Sequence, residues 1–315
     1  MKGAKILFVL LFLIFSIKGF GVEKDTTRVG LFLTSLHDFD LTDQSYTAEF
    51  WLWFNYKNDS LKPLGTREIS NAKSVESSIP DTEKKGEINW TTEKIRATLK
   101  HQWQLEHFPF DRQTLVLEIE EAIYDTTSMV YVPDIENSKY DVENMDLTEW
   151  KITNFKIATN IKTYQTTYGD PELKGSSSYP SVRAEITIER VGNGLFFKLF
   201  TGVYVAFFIS MMVFFIDPTD VDPRFGLSVG GLFAAVGNKY IVDSNMPEST
   251  SFTLIDKVHA ITFFYILISI VLSVVSLSFY KKEKIQKSKN LDLIGFFVLA
   301  GSYLVINVGL IFYAF

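Results

Sequence analysis

The chain has 315 residues, 47% of them hydrophobic, with 28 phenylalanines and a formal net charge of −6. That acidic balance leaves no footing for nucleic acid, and the lack of any cysteine excludes disulfides and Cys-ligated zinc. His37, His101, His107 and His259 stand at no metal-ligand spacing, and no HExxH, GxSxG, Walker or GxGxxG pattern occurs, so the residues indicate neither an enzyme nor a cofactor.

The chain opens on "MKGAKILFVLLFLIFSIKGFG": two lysines, an apolar run, then small residues. Residues 1–21 read as a secretory signal peptide with cleavage near Gly21, the other reading being an N-terminal membrane anchor. Both start the rest of the chain outside the cytoplasm. From Thr26 to Arg190 the period is two. "TRVGLFLTSL", "YTAEFWLWFNY", "QTLVLEIE" and "VRAEITIER" alternate apolar with polar and are rich in β-branched and aromatic residues. Turn-forming clusters separate them, which predicts a β-sandwich over 22–191. Two sequons fall inside it, at Asn58 and Asn89.

After Arg190 the pattern changes to four apolar spans, about 195–216, 225–242, 258–280 and 291–315, each near the length that crosses a bilayer as a helix. They make 192–315 an all-α membrane domain. "KKEKIQKSKN", with five lysines, separates the third span from the fourth. With an outside start that loop is cytoplasmic, as the positive-inside rule asks, and the C-terminus is outside. The second span is unlike the rest, with four glycines, two serines, an asparagine and a lysine. Gly226, Gly230, Phe233, Gly237, Tyr240 and Ser244 share one of its faces. Such a stripe suits close helix packing or the wall of a pore.

These pieces, together with "FPFDRQ" at 108–113, carry a resemblance. The chain resembles the pentameric ligand-gated ion channels (the Cys-loop receptor superfamily). The likeness spans nearly all of the sequence after residue 21. "FPFDRQ" matches the core of the family's signature loop. "VGLFLTSLHDFDLTDQSYTAEFWLWF" matches its first two strands, and "DVDPRFGL" leading to "SNMPES" its second helix and following linker. His101 and Leu115 stand where animal members close the loop with cysteines, which makes the chain similar to prokaryotic-type members. It departs from the family in lacking a proline in the first helix, the W-x-P-D stretch and the vicinal cysteines of loop C. Phe233 stands where members usually carry an apolar gate residue, often leucine.

The resemblance implies a homopentamer, each subunit with four further copies as partners, in a plasma or bacterial inner membrane. Its second helices would line a pore for monovalent cations, gated by Phe233 with Tyr240 as a second constriction. Asp220 and Asp222 would form charge rings at the inner mouth and Asp243 one at the outer; as plain residues, the aspartates at 220 and 222 would instead cap a helix start. Phe108, Pro109, Phe110, Asp111, Arg190, Asp40 in the β1–β2 loop and Pro247 in the linker would couple the sandwich to the pore, with Asp111 paired to a base such as Arg190. A small-molecule ligand would bind between subunits. Glu120, Glu121 and Tyr124 fall on loop B, Tyr168 and Tyr179 on loop C, and Trp51, Trp53 and Trp90 on the complementary face. Aromatics with carboxylates suit an ammonium ligand, although alternating aromatics also build sandwich cores. Protonation of carboxylates or of His37 or His107 is the other trigger consistent with these residues. A membrane-anchored sensor that does not conduct is the alternative function.

Overall fold

The computed structural model describes residues 24–145, 147–171, 174–244, 246 and 252–314. The signal-peptide segment and Pro247 lie outside them. Eleven strands are present among the described residues: β1 Asp25–Asp40, β2 Ser45–Tyr56, β3 Arg67–Ile69, β4 Ala72–Ser77, β5 Asp81–Lys85, β6 Ile88–Lys100, β7 Arg112–Glu121, β8 Met129–Pro133, β9 Lys139–Tyr140, β10 Trp150–Tyr164 and β11 Ser177–Arg190. They form two sheets. One runs β4-β6-β2-β1-β8, with β5 beside β6 and β9 beside β1; the other runs β10-β11-β7-β3.

The alternation in sequence becomes the two faces of each strand. On β2, Phe50, Leu52 and Phe54 point inward and are fully buried, while Trp51, Trp53 and Asn55 point outward. The inner face of the second sheet answers with Leu115, Leu117 and Ile119 of β7 and Val182, Ala184, Ile186 and Ile188 of β11. Each such side chain contributes about 1.5–3 kcal/mol on burial. Tyr46 spans the layers, its hydroxyl donating to the Val116 carbonyl at 2.8 Å, and burial pushes that hydroxyl's pKa up. The second sequon is closed by the fold: Asn89 is buried and its amide donates to Asp59 at 2.8 Å.

Four long helices follow: α1 Asn193–Met211, continued by a 3-10 turn at Met212–Phe215, α2 Val221–Asp243, α3 Leu254–Lys281 and α4 Ile285–Ala314. All four are long and apolar enough to span a membrane. Their ends differ from the sequence expectation. α2 begins four residues before 225, because Pro223 falls in the first turn, where a missing N–H costs nothing. α3 begins at 254, capped by Thr253, whose hydroxyl and backbone N–H engage Asp256 in a reciprocal box. The lysine-rich stretch expected to be a ten-residue loop is mostly helix, leaving residues 282–284 between α3 and α4. Lysine, glutamine and isoleucine all tolerate helix, and Ser288 on α4 is buried against Ser276 on α3 at 2.7 Å.

Candidate functional site: domain junction, pore face and ligand pocket

The junction is built on the loop between β6 and β7. Phe108 and Pro109 are buried, joined by a cis peptide. The Pro109 carbonyl lies so close to Gly192 that a Cβ there would overlap it, and the Phe110 ring sits 5.6 Å from that of Phe196 on α1. The Leu254 N–H, at the start of α3, donates to the Glu106 carbonyl at 3.2 Å. His107 lies 5.7 Å from Tyr313 near the end of α4. One loop therefore touches three helices.

Behind it, Arg190 Nε donates to Asp111 Oδ1 at 2.7 Å and Nη2 to Oδ2 at 3.3 Å, with both side chains buried. The guanidinium also lies 3.9 Å from the Trp150 ring centroid and 4.9 Å from that of Phe108. β11 ends at this residue and α1 starts three residues later. The pair thus fixes the hinge point of the chain between its two domains. Asp40 is exposed and caps its own turn, accepting from the Asp43 N–H at 2.7 Å.

On α2 the glycines divide between two faces. Gly226, Gly230 and Gly237, with Phe233, Tyr240 and Ser244, lie on the exposed face, and a Cβ at any of those three glycines would meet open space. Gly231 instead packs on α1, where a Cβ would run into Ser210. Close packing inside the subunit therefore uses Gly231 and not the Gly226–Gly230 pair. At the inner end, Asp220 and Asp222 are exposed, and Asp220, at the N-cap, makes no side-chain capping bond. Arg224 is turned away and buried, paired with Asp292 of α4. At the outer end, Asp243, the residue expected to form an outer ring, shares Lys239 with Asp256.

The expected ligand residues fall into three groups. Glu120 points outward from β7, where the Tyr164 hydroxyl of β10 donates to it at 2.9 Å. The Tyr164 ring stacks edgewise with Tyr168 at 5.7 Å and Tyr179 at 6.2 Å. Burial raises the Glu120 carboxyl's pKa above its ordinary value, the residue being only 3% exposed, with the charge of Glu68 across the strand pair adding to it. Glu121 drops out of the pocket. It points into the sandwich, fully buried, where Thr66 and Tyr131 donate to one oxygen at 2.8 Å and the N–H groups of Ile123 and Tyr124 to the other. Tyr124 packs against the core rather than into the tyrosine cluster.

Trp51, Trp53 and Trp90 form the third group, on the outward face of the larger sheet. Trp53 is committed there, lying across Gly30 and donating to Asp134 at 3.1 Å; Trp90 holds Lys85 over its ring at 4.2 Å. These tryptophans and Glu120 stand on opposite outer faces of one sandwich. A ligand touching both sets needs two copies of the chain. Tyr164 and Glu68 were missed in the sequence. Tyr164 had a signal, since it follows Asn160 and Lys162 at strand spacing, on the face that Glu118 and Glu120 share.

Residues 66–191 match the family model of the neurotransmitter-gated ion-channel ligand-binding domain. The chain thus has a ligand-binding sandwich of that kind followed by four membrane-length helices. That combination fits a pentameric ligand-gated ion channel. No curated protein matches the chain. The chain is a multi-pass membrane protein with its N-terminal domain outside, and the family that its sandwich matches is one of channels rather than enzymes.

Proposed function

We propose that five copies of this channel subunit form a homomeric, cation-selective pore in a cell membrane, opened by a small extracellular amine bound between neighbouring sandwiches. The observation that carries the reading is the inner end of α2. Two carboxylates, Asp220 and Asp222, are exposed there, while the nearby guanidinium of Arg224 is buried against Asp292. Repeated around a five-fold axis, the carboxylates make rings that concentrate cations. An amine suits the outer pocket, because Glu120 supplies a charge and Tyr164, Tyr168 and Tyr179 supply aromatic faces.

Gating follows from the same geometry. Phe233, 71% exposed on the single subunit, would form an apolar ring of five that stops ions by dewetting. Tyr240, two turns further out, would form a second ring. Ligand between sandwiches favours one relative arrangement of the subunits. The loop at 106–110 transmits it, since it rests on the starts of α1 and α3 and on the end of α4.

The test needs no agonist. Phe233→Ala protein, reconstituted in a planar bilayer under a NaCl gradient, is expected to leak, with a reversal potential near that of sodium. Reversal near chloride overturns the selectivity. Silence from well-formed pentamers overturns the gate and favours a sensor that does not conduct.

A further inference from the structure

Arg224 is the largest fully buried side chain among the described residues, although it sits in the first turn of α2 beside the inner mouth. One carboxylate holds it: Nη2 donates to Asp292 Oδ1. Nε and Nη1 are buried without a hydrogen-bond partner. Asp292 belongs to α4, and its other oxygen accepts from Ser276 of α3 at 2.8 Å, with Ser288 joined to Ser276. The network thus ties the base of α2 to the two helices behind it. Asp222 is two residues before Arg224, which on a helix is about 200° around the axis. Burying the arginine toward α4 therefore leaves the aspartate facing the other way, and it is exposed.

We propose that Asp292, remote from the pore, is a positioning residue for ion selectivity, holding Arg224 behind α2 so that the inner mouth carries only carboxylate charge. This rests on the reading of the exposed aspartates as selectivity rings. The physical reason is that the burial has a single support. A buried guanidinium with two idle donor nitrogens is costly, and Asp292 is its one hydrogen-bonded counter-charge among the described residues. Without that carboxylate the lowest-energy course is for the long side chain to swing its head to the nearest water. For a residue in the first turn of α2, that water is the mouth of the pore. Five guanidinium groups would then stand among the carboxylates of Asp220 and Asp222, and the field at the mouth would weaken or change sign.

The experiment compares reversal potentials in the leaking Phe233→Ala background under a NaCl gradient. Adding Asp292→Asn is expected to lower the sodium-to-chloride permeability ratio by about tenfold or more. Adding Arg224→Gln as well is expected to restore it, because the charge that moved is gone. Arg224→Gln with Asp292 intact is expected to leave the ratio unchanged, since the native arginine does not face the pore. An unchanged ratio in the Asp292→Asn protein overturns the inference while leaving the selectivity reading intact. A ratio lowered equally in the double variant also overturns it, because the effect would not run through Arg224. If Asp292→Asn yields no pentamers, the Arg224→Gln protein decides: a raised cation preference there means that the arginine already faces the pore, and the inference fails. A background that itself prefers chloride rejects the selectivity reading instead.

Discussion

Two buried Arg–Asp pairs mark the two ends of the membrane domain, and they are built differently. At the outer end, Arg190 grips Asp111 with two donors and lies against Trp150 and Phe108. At the inner end, Arg224 reaches Asp292 with one donor and leaves two without partners. A buried pair contributes net stability only where geometry and further hydrogen bonds offset desolvation. The outer pair meets that condition and behaves as a rivet. The inner pair meets it in part, so its role is better sought in where it keeps a charge than in how much it stabilises.

The largest effect is expected from removing one partner of the outer pair. Asp111→Ala leaves the buried Arg190 guanidinium with only the exposed carboxylate of Glu149, 3.5 Å from Nη1, as counter-charge, and breaking a buried pair costs about 3–5 kcal/mol. The expected result is a lost or strongly reduced yield of pentamer by size-exclusion chromatography, with a large fall in unfolding temperature for whatever assembles. An Asp111→Ala channel of native stability would mean that the aromatic faces of Trp150 and Phe108 suffice to hold the arginine.

The next effect in size concerns the pocket. Glu120→Gln removes the charge that would meet an ammonium group, and charged hydrogen bonds contribute about 1.5–3 kcal/mol. The concentration of a primary amine giving half-maximal current is expected to rise tenfold to hundredfold. A pH signature accompanies it. The Glu120 pKa is raised by burial, so amine sensitivity should fall as pH drops through that raised value while the ligand stays protonated. The glutamine variant should show no such dependence over the same range. Equal slopes in both proteins would move the amine site elsewhere.

How much of this was legible beforehand depends on whether the cause was local. The sandwich followed from strict alternation, and the junction loop with Arg190 from a short motif. The four spans were plain from hydropathy, but their ends were not, since the lysine-rich stretch is compatible with loop and helix alike. Alternation already requires that Glu120 and Glu121 face opposite sides; choosing between them takes the β7 register. The Arg224–Asp292 pair had no local signal, because it joins residues 68 apart in sequence through the packing of α2 on α4. Tyr164 was within reach, and a strand-spaced count from Asn160 would have found it.

A smaller effect tests the two faces of α2. Gly231→Ala puts a methyl into Ser210 and within 2.8 Å of the Ala206 carbonyl, an overpacking that costs about 1–3 kcal/mol. Gly230→Ala adds the same methyl to open space in the subunit and gains about 0.8–1.0 kcal/mol of helix propensity. The unfolding temperature should fall for the first and hold or rise for the second. The reverse order would mean that the α2 face carrying Phe233 is a packing surface rather than a pore wall.

The smallest effect is expected at the outer end of α2, where charge is matched rather than bare. Asp243 shares Lys239 with Asp256, so one ammonium group stands between two carboxylates. Asp243→Asn leaves Lys239 paired to Asp256 at 2.7 Å, and the net change at that mouth is one exposed, well-screened charge per subunit. In the Phe233→Ala background the reversal potential should therefore stay close to its parent value. Asp222→Asn in the same background removes a carboxylate with no bonded counter-charge among the described residues and should shift the potential visibly toward chloride. If the Asp243 variant shifts as far as the Asp222 variant, the outer ring shares control of selectivity, and the contrast drawn between the two ends of the helix fails.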